Sequence, residues 1–390
     1  MNLQKPLLIA FGLIAFAGVS ACRRQSVTGE QPGAAPAVSA GGQQAEGGVA
    51  AAAQTKFFKG SIGNALDLQM KLARDGDKLT GSYFYQKVGT KIDLRGDLDK
   101  DGNVNLEEFD AAGKQTGVFK GVWKQGSDEA IEISGNWTKP NSEKKTAFSL
   151  HELPIEFSSP TEIVSRQIRE KNKKLKYEVD AQYPQLSGSA DPNSEKFNQN
   201  VRSLITKKIA EFKKEMTPSA DEPEPEPDPA AETSTESLGS DITIGYEVAL
   251  ARDDLIGIEF TVSSYSAGAA HPNSYTEVLN FDLKNGKSIK LADLFQPGAK
   301  YLRTLSAYCI QELKKKQSTD GIVDDDWVQK GAAPELTNYD NWTITKKGLG
   351  VTFDPYQVAA YAAGPQHVLV PYSALKEIIK PDGPVGQFVK

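Results

Sequence analysis

Leu79-Thr80-Gly81-Ser82-Tyr83, Leu94-Arg95-Gly96-Asp97-Leu98, Phe119-Lys120-Gly121-Val122-Trp123 and Ile133-Ser134-Gly135-Asn136-Trp137 repeat one loose pattern: hydrophobic residue, any residue, glycine, then an aliphatic or aromatic residue. Around them, residues 55–153 fall into short alternating segments broken by Gly, Asp or Asn, the spacing of an antiparallel meander. Glycines at matching places in successive strands relieve crowding where a sheet coils strongly. About seven or eight strands with no helical period predict a small barrel or a strongly curled sheet, since closure removes exposed edges.

The pattern changes from Ile155 onward. Lys176 to Tyr183 alternates as a strand, and Asp191-Pro192 then supplies an N-cap and a first-turn proline. A helix is predicted from there to about Lys214, with Phe197, Val201, Leu204, Ile205, Ile209 and Phe212 on one face. Strands are expected near 242–250, 254–263 and 275–283, with Asn285-Gly286 turning the chain into Ser288–Leu291. A second amphipathic helix over Ala299–Lys315, strands near 342–345, 348–353 and 367–370, and a short helix at Ser373–Ile379 complete the reading. The whole is α+β: an all-β meander or small barrel, then a domain over 155–390 with a mainly antiparallel sheet and two or three helices.

The flanking segments bear on address. Lys5 precedes an apolar run from Leu7 to Ala21, and Val19-Ser20-Ala21-Cys22 has the form of a bacterial lipobox, so residues 1–21 read as a signal peptide and Cys22 as the acylated first residue. An ordinary secretory signal cut after Ala21 is the alternative. Residues 22–54, rich in Gly, Ala, Gln, Ser and Pro, read as a flexible stalk from a lipid bilayer, and the acid-proline tract within 217–240 as a disordered insertion. The expected location is lipid-anchored outside the cytoplasm. By resemblance to the sorting rule of Gram-negative lipoproteins, in which an aspartate after the lipid site means inner-membrane retention, Arg23 implies the outer membrane where the cell has one. The formal net charge of −6 becomes more negative once Lys5 is removed, which argues against a nucleic-acid partner. Of two cysteines only Cys309 remains after lipidation, so no internal disulfide is available, and its place on the helical face of Leu302, Leu305 and Leu313 makes it a core residue.

Tyr177-x-Val179 leading to Tyr183-Pro184-x-Leu186, Phe197-Asn198, Ala270-His271-Pro272-Asn273, Asn280-Phe281-Asp282-Leu283, Leu291-x-Asp293-Leu294-Phe295, Phe353-x-Pro355-Tyr356-x-Val358-x-x-Tyr361-Ala362-x-Gly364 and Val370-Pro371-Tyr372-x-x-Leu375 follow one another in order. This series resembles the paired extracellular domains of lysozyme-sensing anti-sigma factors, a module that also precedes the catalytic domain of some peptidoglycan deacetylases. The resemblance covers about residues 160–380. It implies an envelope-facing α+β module and, in the anti-sigma proteins, a lysozyme-binding surface. The transmembrane helix, the sigma-binding segment and the deacetylase domain have no counterpart in the sequence, so neither signalling nor deacetylation carries over.

Two sets of residues are candidates for a site. Asp97, Asp99, Asp101, Asn103, Asn105 and Glu108 have the spacing of an EF-hand calcium loop with Gly102 at the bend, while the segment before them alternates as a strand, which makes Asp101-Gly102 equally a hairpin turn. Calcium is the one candidate cofactor. Three histidines, His151, His271 and His367, are scattered and form neither a metal set nor a nucleophile–base pair. His271 in Gly268-Ala269-Ala270-His271-Pro272-Asn273 lies on a tight loop, where Asn273, Tyr356, Tyr361 and His367 are candidates to share its surface. The expected function is a non-enzymatic binding module for peptidoglycan or a lysozyme-like protein, with a calcium-binding lipoprotein acting through the 97–108 loop, or a hydrolase of envelope polymer, as the alternatives.

Overall fold

The computed structural model describes residues 54–63, 66–85, 90–126, 129–158, 160–216, 239–320 and 325–389. The signal peptide, Cys22, nearly all of the stalk and the insertion as far as residue 238 lie outside these. Eight antiparallel strands, β1 (Gln54–Ile62), β2 (Leu66–Asp75), β3 (Lys78–Tyr85), β4 (Lys91–Leu98), β5 (Asn103–Phe109), β6 (Gln115–Gln125), β7 (Ile131–Thr138) and β8 (Lys145–Leu153), close into a barrel as β8 pairs back to β1. One parity of each strand fills the interior, with Phe58, Leu72, Leu94, Leu106, Phe119 and Leu150 almost completely buried. Gly121 and Gly135 face each other across β6 and β7; a Cβ on Gly121 would lie 2.5 Å from the Ser134 carbonyl oxygen and 2.9 Å from the Phe148 ring, so the coil of the wall depends on the missing side chain.

The chain leaves β8 through the short β9 (Ile155–Glu156) into a seven-stranded sheet. Its order is β10 (Glu162–Asn172), β11 (Tyr177–Ser187), β12 (Ser240–Arg252), β13 (Leu255–Tyr265), β14 (Asn273–Asp282), β15 (Lys287–Ser288), with β9 beside β12; the β11–β12 and β12–β9 pairs are parallel, the rest antiparallel. The barrel touches this sheet through the outer faces of β1 and β2. Phe57 joins the buried cluster of Ile155 and Ile163, Gln69 Nε2 donates to Tyr246 Oη (3.2 Å), and Lys71 pairs with Glu162.

Helix α1 (Pro192–Glu215) starts as expected, with the Asp191 carboxylate accepting from the Asn193 N–H (2.8 Å). Its face of Phe197, Val201, Ile205, Ile209 and Phe212 packs on one side of the sheet, while Leu204 lies at the rim, partly buried. The other side carries a three-stranded antiparallel sheet, β16 (Trp342–Ile344), β17 (Gly348–Phe353) and β18 (Gln366–Pro371), with α2 (Tyr301–Asp320), the short α3 (Asp325–Gly331) and α4 (Tyr372–Leu375) around it.

Several boundaries differ from the expectation. The strand read over Lys176–Tyr183 continues to Ser187, because β12 pairs only Tyr177–Ala181 and Pro184 lies beyond that stretch, where its lost donor breaks no ladder on that side. After Asn285-Gly286 the pairing ends at Ser288, and Leu291–Leu294 forms a 3-10 turn whose Asp293 carboxylate accepts from the Lys290 N–H (2.9 Å). The helix expected at Ser373–Ile379 stops at Leu375.

Candidate functional site

Four aromatic side chains gather where three connections meet. His271 comes from the β13–β14 loop, Tyr356 from the turn after β17, Tyr361 from the 3-10 turn Tyr361–Ala363 and Trp327 from α3. The His271 and Tyr361 rings stack with centroids 3.9 Å apart, Tyr356 lies 5.5 Å from Tyr361 and 6.5 Å from His271, and Trp327 lies 6.5 Å from Tyr356. The Pro272 carbonyl fixes two of the rings, accepting from Tyr361 Oη (2.6 Å) and bonding His271 Nδ1 (2.8 Å). That bond requires the proton on Nδ1, which leaves Nε2 of a neutral His271 as an acceptor facing Tyr356 Oη at 3.4 Å. Tyr356 is 58 % exposed and its backbone has φ of 69°, a left-handed conformation that is costly for a bulky residue.

A polar cleft of about 540 Å3 adjoins the turn that carries Tyr356. Thr276 on β14, Asp340, Asn341, Asp354 and Gln357 line it. Asp354 accepts from the Thr276 N–H (2.9 Å) and from the Asn341 side-chain amide (2.8 Å), and burial pushes its carboxyl above the ordinary carboxylate range. Gln357 ties the turn down by donating to the Gly331 and Asn338 carbonyls, each at 3.1 Å. The turn Asp354–Gln357 thus serves both features: its ends line the cleft, and Tyr356 between them joins the rings.

Of the residues singled out from sequence, His271, Tyr356 and Tyr361 come together, and Asn273 stands exposed at the start of β14 two residues from His271. His367 does not join them. It lies on β18 with Nδ1 3.0 Å from the Thr352 hydroxyl, which donates to Glu259 Oε2 (3.1 Å). Trp327 was not anticipated; it sits on a seven-residue helix too short to show a period.

The six oxygen-bearing residues of the calcium-like spacing do not converge. Asp99 caps its own turn, accepting from the Asp101 and Asn103 N–H groups (2.9 and 2.8 Å) and from the Asn103 amide, and these bonds to Asn103 hold its carboxyl below the usual range. Asp97 pairs with Lys78 (2.6 Å). Glu108 points into the barrel, 3 % exposed, where Oε2 accepts from Tyr83 Oη (2.6 Å) and Trp137 Nε1 (3.0 Å). Asp101-Gly102 is a hairpin turn between β4 and β5. Among the described residues no three His, Cys, Asp or Glu side chains are grouped to hold a metal, and no helix is long and apolar enough to cross a membrane. Cys309 is fully buried beside Leu305 and Leu313, and burial pushes its thiol up to about 12.

Known proteins match the second half of the chain. Residues 170–274 match the family described as deacetylase PdaC, and residues 292–373 match a family of unknown function, DUF3298. The peptidoglycan-N-acetylmuramic acid deacetylase PdaC of Bacillus subtilis is 28 % identical over 187 residues, which are 48 % of this chain and 37 % of that enzyme. The immunogenic protein MPT64 of Mycobacterium tuberculosis is 27 % identical over 114 residues, 29 % of this chain and 48 % of that protein. The chain therefore spans less than half the length of either relative. A solved DUF3298 protein of Bacteroides fragilis aligns over 59 % of this chain and 97 % of its own, with a TM-score of 0.43 and 19 % identity. His271 falls in the first matched segment and Trp327, Tyr356 and Tyr361 in the second, so the ring cluster is assembled from both. The two family matches thus lie in tandem in the second half of the chain, the PdaC match followed by the DUF3298 match.

Proposed function

We propose that this chain is a non-catalytic envelope protein, tethered to a membrane through acylated Cys22, whose second domain binds the glycan of the cell wall. The observation that supports it most is Tyr356, an exposed ring on strained backbone, set among three other rings beside a polar cleft. Strained and exposed aromatics concentrate at ligand clamps, and flat rings offer the apolar face that a sugar stacks on. The PdaC relative, named for its action on peptidoglycan-N-acetylmuramic acid, points to the same polymer.

The test is co-sedimentation of the purified full chain with insoluble peptidoglycan. Wild type should pellet with the polymer, and Tyr356→Gly should not. Glycine accepts φ near 69° without strain, worth about 1–2 kcal/mol, against a flexibility cost of roughly 0.5–1 kcal/mol, so the variant should melt close to wild type. Failure of wild type to pellet overturns the reading. A deacetylase is the second reading, favoured by the 28 % identity to PdaC; acetate release from peptidoglycan by the purified chain would establish it. The tether is tested separately: Cys22→Ser should abolish fatty-acid labelling and release the protein from membranes.

A further inference from the structure

A second surface, apart from the ring cluster, is set by charge. In a chain of formal net charge −6, residues 166–176 carry six bases against Glu170, and residues 207–215 carry four bases against two acids. The first run is the second half of β10 with its turn into β11, the second the last turns of α1. The fold brings them to one end of the domain. Lys213 pairs with Glu170 and lies over the Tyr177 ring, 6.0 Å from its centroid, and the Tyr177 and Phe212 rings meet edge to face at 5.9 Å. Leu175 and Met216 pack against the same apolar cluster. Lys173, Lys174 and Lys214 stand exposed around this joint, and among the described residues none of the three enters an ion pair.

Three ammonium groups on one surface, two from a turn and one from a helix end, raise the local positive potential, and phosphate groups relieve it. Compensation of the helix dipole accounts for Lys214 in the last turn of α1, but not for Lys173 and Lys174 in the turn between strands. Lysines are point charges without the planar fork of arginine, so they suit phosphate presented as a dense array better than one phosphate held in a fixed geometry. We infer that this end of the second domain lies on an anionic bilayer, its lysines among the lipid phosphates. The inference rests on the acylated Cys22 proposed above for the source of the phosphate, since that tether keeps the domain at a membrane, and on the lysines for the contact. The acid-proline tract joins the same end from both sides, following Met216 and returning at Gly239, after which the Ser240 N–H donates to the Lys176 carbonyl (2.9 Å). Its seven acids between Asp221 and Glu236 oppose an anionic surface and set the contact weaker than the lysines alone would make it.

The experiment is flotation of the full chain, carrying Cys22→Ser so that no acyl chain contributes, with vesicles of phosphatidylcholine alone and of phosphatidylcholine and phosphatidylglycerol in equal parts. The chain should float with the anionic vesicles only and be released by added salt. Each lysine near an anionic bilayer is worth about five-fold in affinity, so Lys173→Glu, Lys174→Glu and Lys214→Glu together should weaken binding by about 100-fold. Lys120→Glu with Lys124→Glu, on the barrel, should change it by less than about two-fold, and removal of residues 218–237 should tighten it. Melting curves confirm that each variant is folded. Failure to float with anionic vesicles, an equal loss from the barrel and the tip variants, or weaker binding without the tract overturns the inference. None of these bears on the tether, which fatty-acid labelling of the unmodified Cys22 chain reads separately. Binding of inorganic polyphosphate with no binding of anionic vesicles overturns the bilayer in favour of a soluble phosphate polymer.

Discussion

Replacing Asn280 by alanine tests how the sheet that carries Tyr356 is held. Asn280, 4 % exposed on β14, donates from Nδ2 to the Trp342 carbonyl (2.7 Å) and accepts at Oδ1 from the Ile344 N–H (2.8 Å). Its side-chain amide thus acts as a strand edge for β16. The close approach is possible because Gly257 lies opposite, where a Cβ would meet the Ile344 carbonyl oxygen at 2.6 Å. Asn280→Ala leaves one buried N–H and one buried carbonyl without partners, and at about 1–3 kcal/mol each the expected loss is about 4 kcal/mol. For a domain of this size that lowers the melting temperature by roughly 8–16 °C. Urea unfolding followed by far-UV circular dichroism measures it. Asn280→Asp should be equally harmful at neutral pH and should recover on acidification, since a protonated carboxyl can donate to Trp342 where a carboxylate repels it. The neighbouring Thr343 supplies the opposite control. Its buried hydroxyl has no partner, so Thr343→Val should gain about 1 kcal/mol by removing an unpaired polar atom. A loss below about 1 kcal/mol for Asn280→Ala would refute the reasoning, because it would mean that the β16 backbone groups find other partners.

Three further outcomes are expected. Burial raises the folded-state pKa of Glu259, with His367 opposing, so the ionised form costs stability as pH rises from the ordinary carboxylate range through the raised value. Glu259→Gln should therefore be more stable than wild type at neutral pH, with the gain vanishing at acid pH; a gain that persists in acid would exclude this cause. The buried Cys309 thiol should resist alkylation in the native protein and react fully in denaturant, and rapid native labelling would contradict its burial. A fragment from Ile155 to Lys390 should melt cooperatively but below the full chain, because it loses the Phe57 packing and the Lys71–Glu162 pair; aggregation would argue that barrel and sheet fold as one unit.

The elements that sequence made legible are those with one buried face and a marked end. Helix α1 shows both, with apolar residues at steps of three and four behind an Asp-Pro cap, and it folds where the pattern places it. The barrel strands are legible for the same reason at period two, their inward side chains alternating against exposed ones. Strand β10 is not. Its sequence Glu-Ile-Val-Ser-Arg-Gln-Ile-Arg-Glu-Lys-Asn buries only Ile163 and scatters charge over both faces, as an outer strand paired on one side does. Glu108 shows parity deciding between two readings of one stretch. A calcium loop counts twelve positions and makes Glu108 the last ligand, but a strand counts in twos, and Glu108 shares the parity of the buried Val104 and Leu106. The period-two count holds, and the carboxylate ends inside the barrel against Tyr83 and Trp137.

For the site, legibility stops at the loops. His271 and Tyr361 are ninety positions apart and no periodic signal joins them; only the stacking of two side chains from different loops does. The short motifs of the second domain nevertheless separate by duty. Asn198 accepts from the Leu186 N–H (2.7 Å) and donates to its carbonyl (3.0 Å), pinning α1 to β11. Asp282 closes the turn to Asn285, and Tyr372 Oη donates to the Thr345 carbonyl (2.8 Å). Asn280 fastens β16. Each of these makes bonds that the fold requires. Tyr361 Oη and His271 Nδ1 both bond the Pro272 carbonyl and so hold each other in place. Tyr356 returns least to the fold: more than half of it is in solvent, its one side-chain bond is the long contact to His271, and its backbone is strained. Under the proposed glycan-binding reading, that combination of strain and exposure makes Tyr356, rather than the better-bonded histidine beside it, the residue on which the binding tests turn.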